Sequence, residues 1–269
     1  MENEDVIITS AFRTAIGSFN GSLSSKTAPE LGSTVIKKCI ENSEIKKEEV
    51  DMVYMGQVLS AGVGQNPARQ ASIYAGLPNT TTNTTINQVC GSGLASIALA
   101  YNSIRCGDGN IIIAGGQESM SNAPHYIKLR KGEKVNEDKI KDTMIIDGLW
   151  DVYNEYHMGT TAENVAEKFN IKRQDQDKFA LNSQEKAIKA IKEKKFINEI
   201  VPVEINNNIY FEQDEHPREN TSIEKLSELK TTFKKDGTVT PGNSSGINDG
   251  AAAVCLMTFE NAKKKKLNH

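Results

Sequence analysis

The 269-residue sequence lacks the marks of several protein classes. No window approaches the ~20 apolar residues that a membrane-spanning helix needs. The start, MENEDV, has neither the basic nor the apolar segment of a signal peptide. With a net charge of −3 there is no basic surplus for a nucleic-acid backbone. We therefore expect a cytoplasmic protein without membrane or nucleic-acid partners, which binds a small molecule or another protein.

Cysteine is also scarce. The four cysteines, Cys39, Cys90, Cys106 and Cys255, show no C-x-x-C spacing, which argues against a zinc site and against a disulfide framework. We predict four reduced thiols and no metal. Cys39 falls on the apolar side of a predicted helix, and Cys255 falls in a final apolar strand, so both are expected in the core.

The order of predicted elements indicates an α/β protein. Of the residues, 38% are hydrophobic and 25% are charged, which is ordinary for a globular chain with one large domain or two modest ones. Strands are predicted at Val6 to Thr9 and within VDMVYMGQVLS and NIIIAGGQESMS, and helices within APELGSTVIKKCIEN and GQNPARQASIYAGLP. Strands that alternate with helices favour a layered α/β architecture.

The stretch INQVCGSGLASIALAYNSI places Cys90 between a β-branched run and a predicted helix. The inward face of that helix is predicted from helical spacing to include Leu94, Ile97, Ala98, Tyr101 and Ile104. The amino end of a helix favours a thiolate, and the glycines after Cys90 leave its N–H free to face a developing oxyanion. Two interpretations stay open here: a nucleophile, or a small side chain at a glycine turn common in α/β folds.

From about Ser121 the sequence becomes long, charged and irregular. A connection of this length inside a domain is usually functional or disordered. Within TTAENVAEKFN, Thr160 and Glu163 are predicted to form a capping box. The lysine-rich end NAKKKKLNH is interpreted as a solvated helix or a frayed terminus.

Four segments together resemble the thiolase family, and most closely its biosynthetic acetyl-CoA acetyltransferases. NQVCGSGL is similar to the nucleophile motif, GGQESMSNAP to the strand and loop after it, YHMGTTAENVAEKF to the coenzyme A loop, and GTVTPGNSSGINDGAAA to the return to the core. The resemblance spans essentially the whole chain. It implies an α/β fold with one mixed, mostly parallel five-stranded sheet in residues 1–120 and 248–269, and an inserted coenzyme A-binding loop domain in residues 121–247.

The resemblance also implies an activity. Cys90 would be acylated by acetyl-CoA in a ping-pong reaction, and a carbanion of a second acetyl-CoA would attack the acetyl group to give acetoacetyl-CoA. Thiolysis is the reverse. The substrates are then coenzyme A thioesters, with no tightly bound cofactor. The expected macromolecular partner is another copy of the chain, as a dimer or tetramer, or a complementing thiolase chain.

Leu149, His157 and Met158 match the pantetheine pocket of the family, with Met158 near the reacting acyl groups. Without the resemblance, a lone histidine beside a helix is interpreted as an ordinary hydrogen-bonded side chain.

Three more residues match coenzyme A-binding positions of the family. Arg218 in DEHPREN matches a cation near the adenosine 3′-phosphate, Phe233 an aromatic beside the adenine, and Ser245 a serine that bonds the pantetheine amide. The sequence departs from the family pattern at Pro241, usually alanine, and at Lys225, where a serine is expected. Pro241 lacks an N–H and stiffens its loop, so both changes bear on how coenzyme A is held.

Three family motifs are not found in the sequence: Asn-Glu-Ala-Phe, Gly-His-Pro and Cys-x-Gly, which carry the acid–base groups in the second thiolase half. The four histidines are His125, His157, His216 and His269. Only His216 precedes a proline, and Cys255 lacks the x-Gly that should follow. We therefore expect a truncated, split or degenerate thiolase without the second half, inactive or weak alone. The alternatives are a non-catalytic coenzyme A-binding or assembly partner and a β-ketoacyl synthase-like condensing enzyme. The YHMGTTAENVA loop argues against the last.

Overall fold

The computed structural model describes Glu2, residues 4–130, Gly132, residues 134–265 and Leu267. His269 lies outside this part of the chain. The strands are β1 (Val6–Thr14), β2 (Gly17–Ser18), β3 (Met52–Gly56), β4 (Thr82–Ile86), β5 (Ile111–Ser119), β6 (His125–Tyr126), β7 (Lys141–Asp142), β8 (Trp150–Asp151), β9 (Tyr156–His157), β10 (Ile200–Val201), β11 (Val203–Asn206), β12 (Ile209–Phe211) and β13 (Asn248–Thr258). The helices are α1 (Ala28–Asn42), α2 (Pro67–Tyr74), α3 (Ser92–Cys106), α4 (Met158–Lys168), α5 (Arg173–Lys192), α6 (Ile223–Ser227) and α7 (Phe259–Lys264). None of these helices has the length and hydropathy of a membrane span.

The chain divides into two compact units. We call Met1–Pro124, Glu199–Gln213 and Asn248–His269 the sheet unit, and His125–Asn198 and Asp214–Ile247 the loop unit. The predicted insertion, residues 121–247, is therefore interrupted. The segment from Glu199 belongs with the sheet because β10 pairs with β1, and Val203 is buried in the same core.

The sheet of the first unit runs in the order β10-β1-β13-β5-β3-β4, with β2 also paired to β13. β13 is antiparallel to β1, β2 and β5, whereas β10 is parallel to β1, and β4, β3 and β5 are mutually parallel. Six strands thus share one direction, which confirms the mixed, mostly parallel sheet. It has seven strands and not the predicted five, because the two-residue strands β2 and β10 extend the pairing of β13 and β1.

Residues of the central strands alternate between the two faces of the sheet, as strand geometry requires. The core against α1 and α2 includes Val53, Met55, Ile113, Cys255 and Met257. The core beneath α3 includes Ala100, Ile104, Ile112, Ala114 and Leu256. Cys39 joins the first core, so the predicted burial of Cys39 and Cys255 is confirmed.

The predicted inward face of α3 is wrong at three of its five residues, because Leu94, Ala98 and Tyr101 are exposed. The buried residues of this helix are Ser92, Ser96, Ala100 and Ile104, spaced four apart. Leu94 is 75% exposed and Tyr101 is 47% exposed. The helix instead turns its small side chains to the sheet, where the Ser96 hydroxyl donates to the carbonyl of Gly115 at 2.7 Å. The spacing of apolar residues does not show this face, because the close approach of the helix to the sheet favours small side chains such as serine over leucine.

Candidate active site

Cys90 lies in a tight turn between β4 and α3. The N–H of Gly91 donates to the Gln88 carbonyl at 3.1 Å, and the N–H of Ser92 donates to the Val89 carbonyl at 3.1 Å. The Ser92 hydroxyl closes the turn from the other side, accepting from the Gln88 N–H at 2.8 Å and donating to the Val89 carbonyl. Cys90 is exposed at the amino end of α3, as predicted.

The residue before Cys90 is strained. Val89 has a φ of 50°, a conformation that a β-branched side chain rarely adopts. Strain of this kind costs about 1–3 kcal/mol and persists where the surrounding structure enforces it, often at functional sites.

Glycines let the amino end of α3 pack closely against the sheet. A Cβ on Gly56 of β3 would lie 2.6 Å from the Ser92 carbonyl carbon and 2.7 Å from the Gly93 nitrogen. A Cβ on Gly93 would instead meet nothing closer than Gly116, at 4.0 Å. The close contact at Gly56 therefore fixes the helix start, and Gly93 leaves open space beside Cys90.

A cleft of about 350 Å³ surrounds Cys90 within the sheet unit. Its lining includes Arg13, Val58, Cys90, Gly116, Glu118 and Asn248. Arg13 is held by Glu199, with 2.7 Å between Nε and Oε1. Among the described residues that line the cleft there is no histidine.

Glu118 is a further charged group of this cleft. Its Oε2 accepts the N–H of Val58 at 2.8 Å, and its Oε1 accepts the N–H of Leu59 at 3.2 Å. Burial raises the pKa of the Glu118 carboxyl, although both N–H bonds act in the opposite direction. Glu118 thus fixes the loop after β3, which forms one wall of the cleft.

The four thiols fall into two classes. Cys39 and Cys255 are buried, whereas Cys90 and Cys106 are exposed. Burial raises the pKa of Cys39 to about 12 and also raises the pKa of Cys255. Within the described part of the chain, no three His, Cys, Asp or Glu side chains are grouped to hold a metal ion.

The loop unit brings four of the six predicted coenzyme A-binding residues close together. Trp150 of β8 pairs with His157 of β9, so the neighbouring Leu149 and Met158 lie at the same end of this ribbon. The His157 ring stacks on Phe233 with 4.7 Å between centroids and an angle of 16°.

His157 also begins α4. Its Nδ1 accepts the N–H of Gly159 at 3.0 Å, and burial lowers the pKa of the imidazole. Gly159 lies directly beneath the stack, since a Cβ there would be 2.2 Å from the Phe233 ring. The predicted capping box of Thr160 and Glu163 is therefore wrong: the helix is capped by His157, three residues earlier, and Glu163 binds elsewhere.

Arg218 and Ser245 hydrogen-bond to other residues of the loop unit. Arg218 is exposed and lines a separate groove beside α5, where its N–H donates to Oε1 of Gln184 at 2.7 Å. Ser245 is also exposed, and its hydroxyl donates to the Gly246 carbonyl at 3.2 Å. The contacts thus join four of the predicted residues in one cluster around His157.

Comparison with known proteins identifies the family. The model of the thiolase N-terminal domain matches residues 6–260. The chain belongs to the thiolase family. Over 265 residues this thiolase chain is 54% identical to the acetyl-CoA acetyltransferase of Cupriavidus necator, covering 97% of the chain and 67% of that relative. Its identity to the Pseudomonas aeruginosa acetyl-CoA acetyltransferase is 51%, with the same coverage.

A solved structure agrees with the fold. The acetyl-CoA acetyltransferase of Bacillus anthracis superposes with a TM-score of 0.94 at 40% identity, covering 98% of this thiolase chain and 68% of that chain. The layered α/β fold is thus confirmed. The chain spans about two thirds of the length of these relatives.

The sequence of this thiolase chain does not indicate the roles of Gly56 and Glu118 in the cleft, or of Glu163 in the loop unit. Gly56 and Glu118 act through contacts between strands and loops distant in sequence, and a single sequence carries no signal for such contacts. Glu163 was assigned to local capping because its spacing from Thr160 fits that pattern equally well.

Proposed function

We propose that this chain carries the nucleophile and the coenzyme A-binding residues of an acetyl-CoA C-acetyltransferase. The observation that supports this most is the placement of Cys90: an exposed thiol at the amino end of α3, in a cleft whose walls are fixed by Gly56 and Glu118. The names of the relatives supply the substrate class. No tightly bound cofactor is needed, since the acyl group is carried by coenzyme A and by the cysteine.

The chemistry proceeds in two half-reactions. The Cys90 thiolate attacks the carbonyl carbon of acetyl-CoA, a thioester forms on Sγ, and coenzyme A leaves as a thiolate that takes up a proton. A second acetyl-CoA then loses a proton from its methyl carbon, and the resulting carbanion attacks the acetyl thioester. A carbon–carbon bond forms, the Sγ–carbon bond breaks, and acetoacetyl-CoA departs. The amino end of α3 favours the anionic sulfur that both half-reactions require.

The loop unit is proposed to bind coenzyme A. Leu149, His157 and Met158 offer an apolar, partly exposed surface for the pantetheine arm, and Phe233 an aromatic face for the adenine. Arg218 is free to turn its exposed guanidinium toward the 3′-phosphate. Further partners are expected to be a second copy of the chain or a complementing thiolase chain.

Acetylation of the thiol tests this proposal. After incubation with acetyl-CoA, mass spectrometry of digested protein should find one added acetyl group on the peptide of Cys90. The Cys90→Ser variant should lose it, and the matched Cys106→Ser variant should keep it. Acetylation of Cys106, or of no cysteine, would contradict the assignment.

Turnover is expected to be slow. The cleft offers no histidine among its described residues, and loss of the base partner of a nucleophile typically costs several orders of magnitude in rate. The purified 269-residue chain should therefore become acetylated yet show little thiolysis of acetoacetyl-CoA. Sustained thiolysis in a spectrophotometric assay would show that the residues described here suffice.

A further inference from the structure

Two acidic side chains are buried in the loop unit. Glu163 of α4 is 3% exposed and Asp177 of α5 is 2% exposed. A buried carboxylate is unfavourable unless donors surround it, so the partners of these two groups indicate what the burial achieves. Both carboxylates have partners on the segment between Phe233 and Ser245, and Asp177 also pairs with Arg173 of its own helix.

Glu163 binds the backbone of this segment. Its Oε1 accepts the N–H groups of Thr238 and Val239, both at 2.8 Å, and its Oε2 accepts the Thr238 hydroxyl at 2.9 Å. Burial acts to raise the pKa of Glu163, but these donors outweigh it, and the pKa lies below its ordinary value. A Cβ on Gly237 would lie 2.3 Å from Oε1, so the turn is shaped to receive the carboxylate.

Asp177 binds the same segment through a side chain. One of its oxygens is 2.7 Å from Nε of Arg173, and the other accepts Nδ2 of Asn243 at 2.9 Å. Asn243 also donates to the carbonyl of Thr238 at 3.0 Å and accepts the N–H of Thr240 at 2.8 Å. Asn243 therefore ties Asp177 to the backbone that Glu163 holds.

Two of the proposed coenzyme A-binding residues, Phe233 and Ser245, flank the held segment from Thr238 to Asn243. The N–H of Thr232 donates to the Val239 carbonyl at 3.1 Å, which joins the two arms of the loop next to Phe233. Ser245 follows Asn243 by two residues. Any shift of the segment would therefore move the aromatic ring from its stack on His157 and the serine from its place.

We propose that Glu163 and Asp177 are positioning residues for coenzyme A: their carboxylates hold the segment from Thr238 to Asn243 so that Phe233 and Ser245 are preset for the ligand. The assignment rests on the proposed function of the loop unit. Binding energy is then not spent on ordering the loop when the ligand arrives.

The test measures coenzyme A affinity in the whole chain by calorimetry. Glu163→Gln keeps the size of the side chain but replaces one acceptor oxygen with an NH₂ group that faces N–H donors. We expect the Kd to rise at least about tenfold. Glu167→Gln is the matched control, one helical turn along α4: its exposed carboxylate pairs with Lys234, beside Phe233, at 2.8 Å. Exposed pairs contribute little, so its Kd should change less than about twofold.

A second ligand separates positioning from general loss of structure. Arg218, proposed for the 3′-phosphate, lies outside the held segment, so the ratio of the Kd values for dephospho-coenzyme A and coenzyme A should be the same in Glu163→Gln and wild type. The only tryptophan of the chain, Trp150, lies in the loop unit, and an unchanged emission maximum would report that the unit is folded.

If Glu163→Gln does not fold, Thr238→Val takes its place. It removes the hydroxyl that donates to Glu163 and accepts from Gln176 but leaves both N–H bonds, and should raise the Kd about two- to fivefold. Equal affinities of wild type and variant would overturn the positioning role alone. Failure of wild type to bind coenzyme A at millimolar concentration would overturn the proposed site and, with it, this inference.

Discussion

The two ends of α3 each carry an exposed cysteine, and their surroundings differ. Cys90 precedes the helix, follows the strained Val89 and lines a cleft. Cys106 is the last helical residue, followed by Gly107 in the left-handed conformation that commonly ends helices. Both thiols are exposed, so exposure alone does not explain why one of them would be a nucleophile. The end of the helix and the enclosing cleft distinguish Cys90, and both can be altered separately.

The two buried thiols set the lowest alkylation rate with which the two exposed thiols can be compared. Cys39 donates its S–H to the Ala253 carbonyl at 3.2 Å, and burial raises the pKa of both Cys39 and Cys255. Alkylation of either requires opening of the core, so we expect rates roughly a thousandfold or more below those of Cys90 and Cys106, since core opening costs several kcal/mol. Labelling with iodoacetamide followed by mass spectrometry measures all four. In guanidinium chloride the four rates should converge. Comparable rates in the native chain would mean that the described core is open.

Gly56 offers a way to disturb one end of α3 without touching the other. In Gly56→Ala the new Cβ would overlap the backbone of Ser92 and Gly93, which cannot rotate away. Overpacking of this kind costs about 1–3 kcal/mol. We expect a lower denaturation midpoint in urea and an altered alkylation rate of Cys90, with Cys106 unchanged.

Gly93→Ala is the control for that substitution. Its Cβ would meet nothing nearer than 4.0 Å, and alanine gains about 0.5–1 kcal/mol over glycine inside a helix. The stability of this variant should therefore rise or stay equal. A loss equal to that of Gly56→Ala would mean that the close contact with β3 is not what fixes the helix start.

The sequence alone predicted the strand, the turn and the helix around Cys90, but not which face of α3 is buried against the sheet. The β-branched run before Cys90 and the glycines after it fix a strand, a turn and a helix, because these preferences are local. The burial of Ser96 in place of Leu94 depends on Gly115, a residue of β5, and so lies beyond any local pattern.

The same limit applies to the candidate site. The family motifs contain Cys90 and His157 and predict their roles, whereas the roles of Glu118 and Glu163 depend on backbone N–H groups 59 or more residues away. A carboxylate that binds distant backbone leaves no spacing to detect, so only the folded chain shows it.

The smallest predicted effect separates the two exposed thiols directly. A helix dipole favours an anion at its amino end and disfavours one at its carboxyl end, by about 0.3–1 kcal/mol each at low salt. The two ends together differ by about 0.6–2 kcal/mol in thiolate stability. Because a more stable thiolate is a weaker nucleophile, with a Brønsted coefficient of about 0.4–0.5, Cys90 should be alkylated about two- to fivefold faster than Cys106. The difference should shrink as salt is raised, because the effect is screened. Iodoacetamide labelling at 10 mM and at 1 M ionic strength measures this salt dependence. The Debye length is about 30 Å at the lower ionic strength and about 3 Å at the higher one.

Arg105 works against this difference, because it carries a positive charge one residue before Cys106; part of that charge is offset by Glu4, 3.7 Å from the guanidinium. In Arg105→Gln the cation is lost, so a thiolate at Cys106 loses a nearby positive charge and its labelling should slow further, while Cys90, 15 residues away at the other end of the same α3, should not respond. The ratio of the two rates then widens at low salt. If the ratio instead stayed near one in both proteins, the dipole would have no measurable part in activating Cys90, and the cleft around Glu118 and Gly56 would have to account for its reactivity.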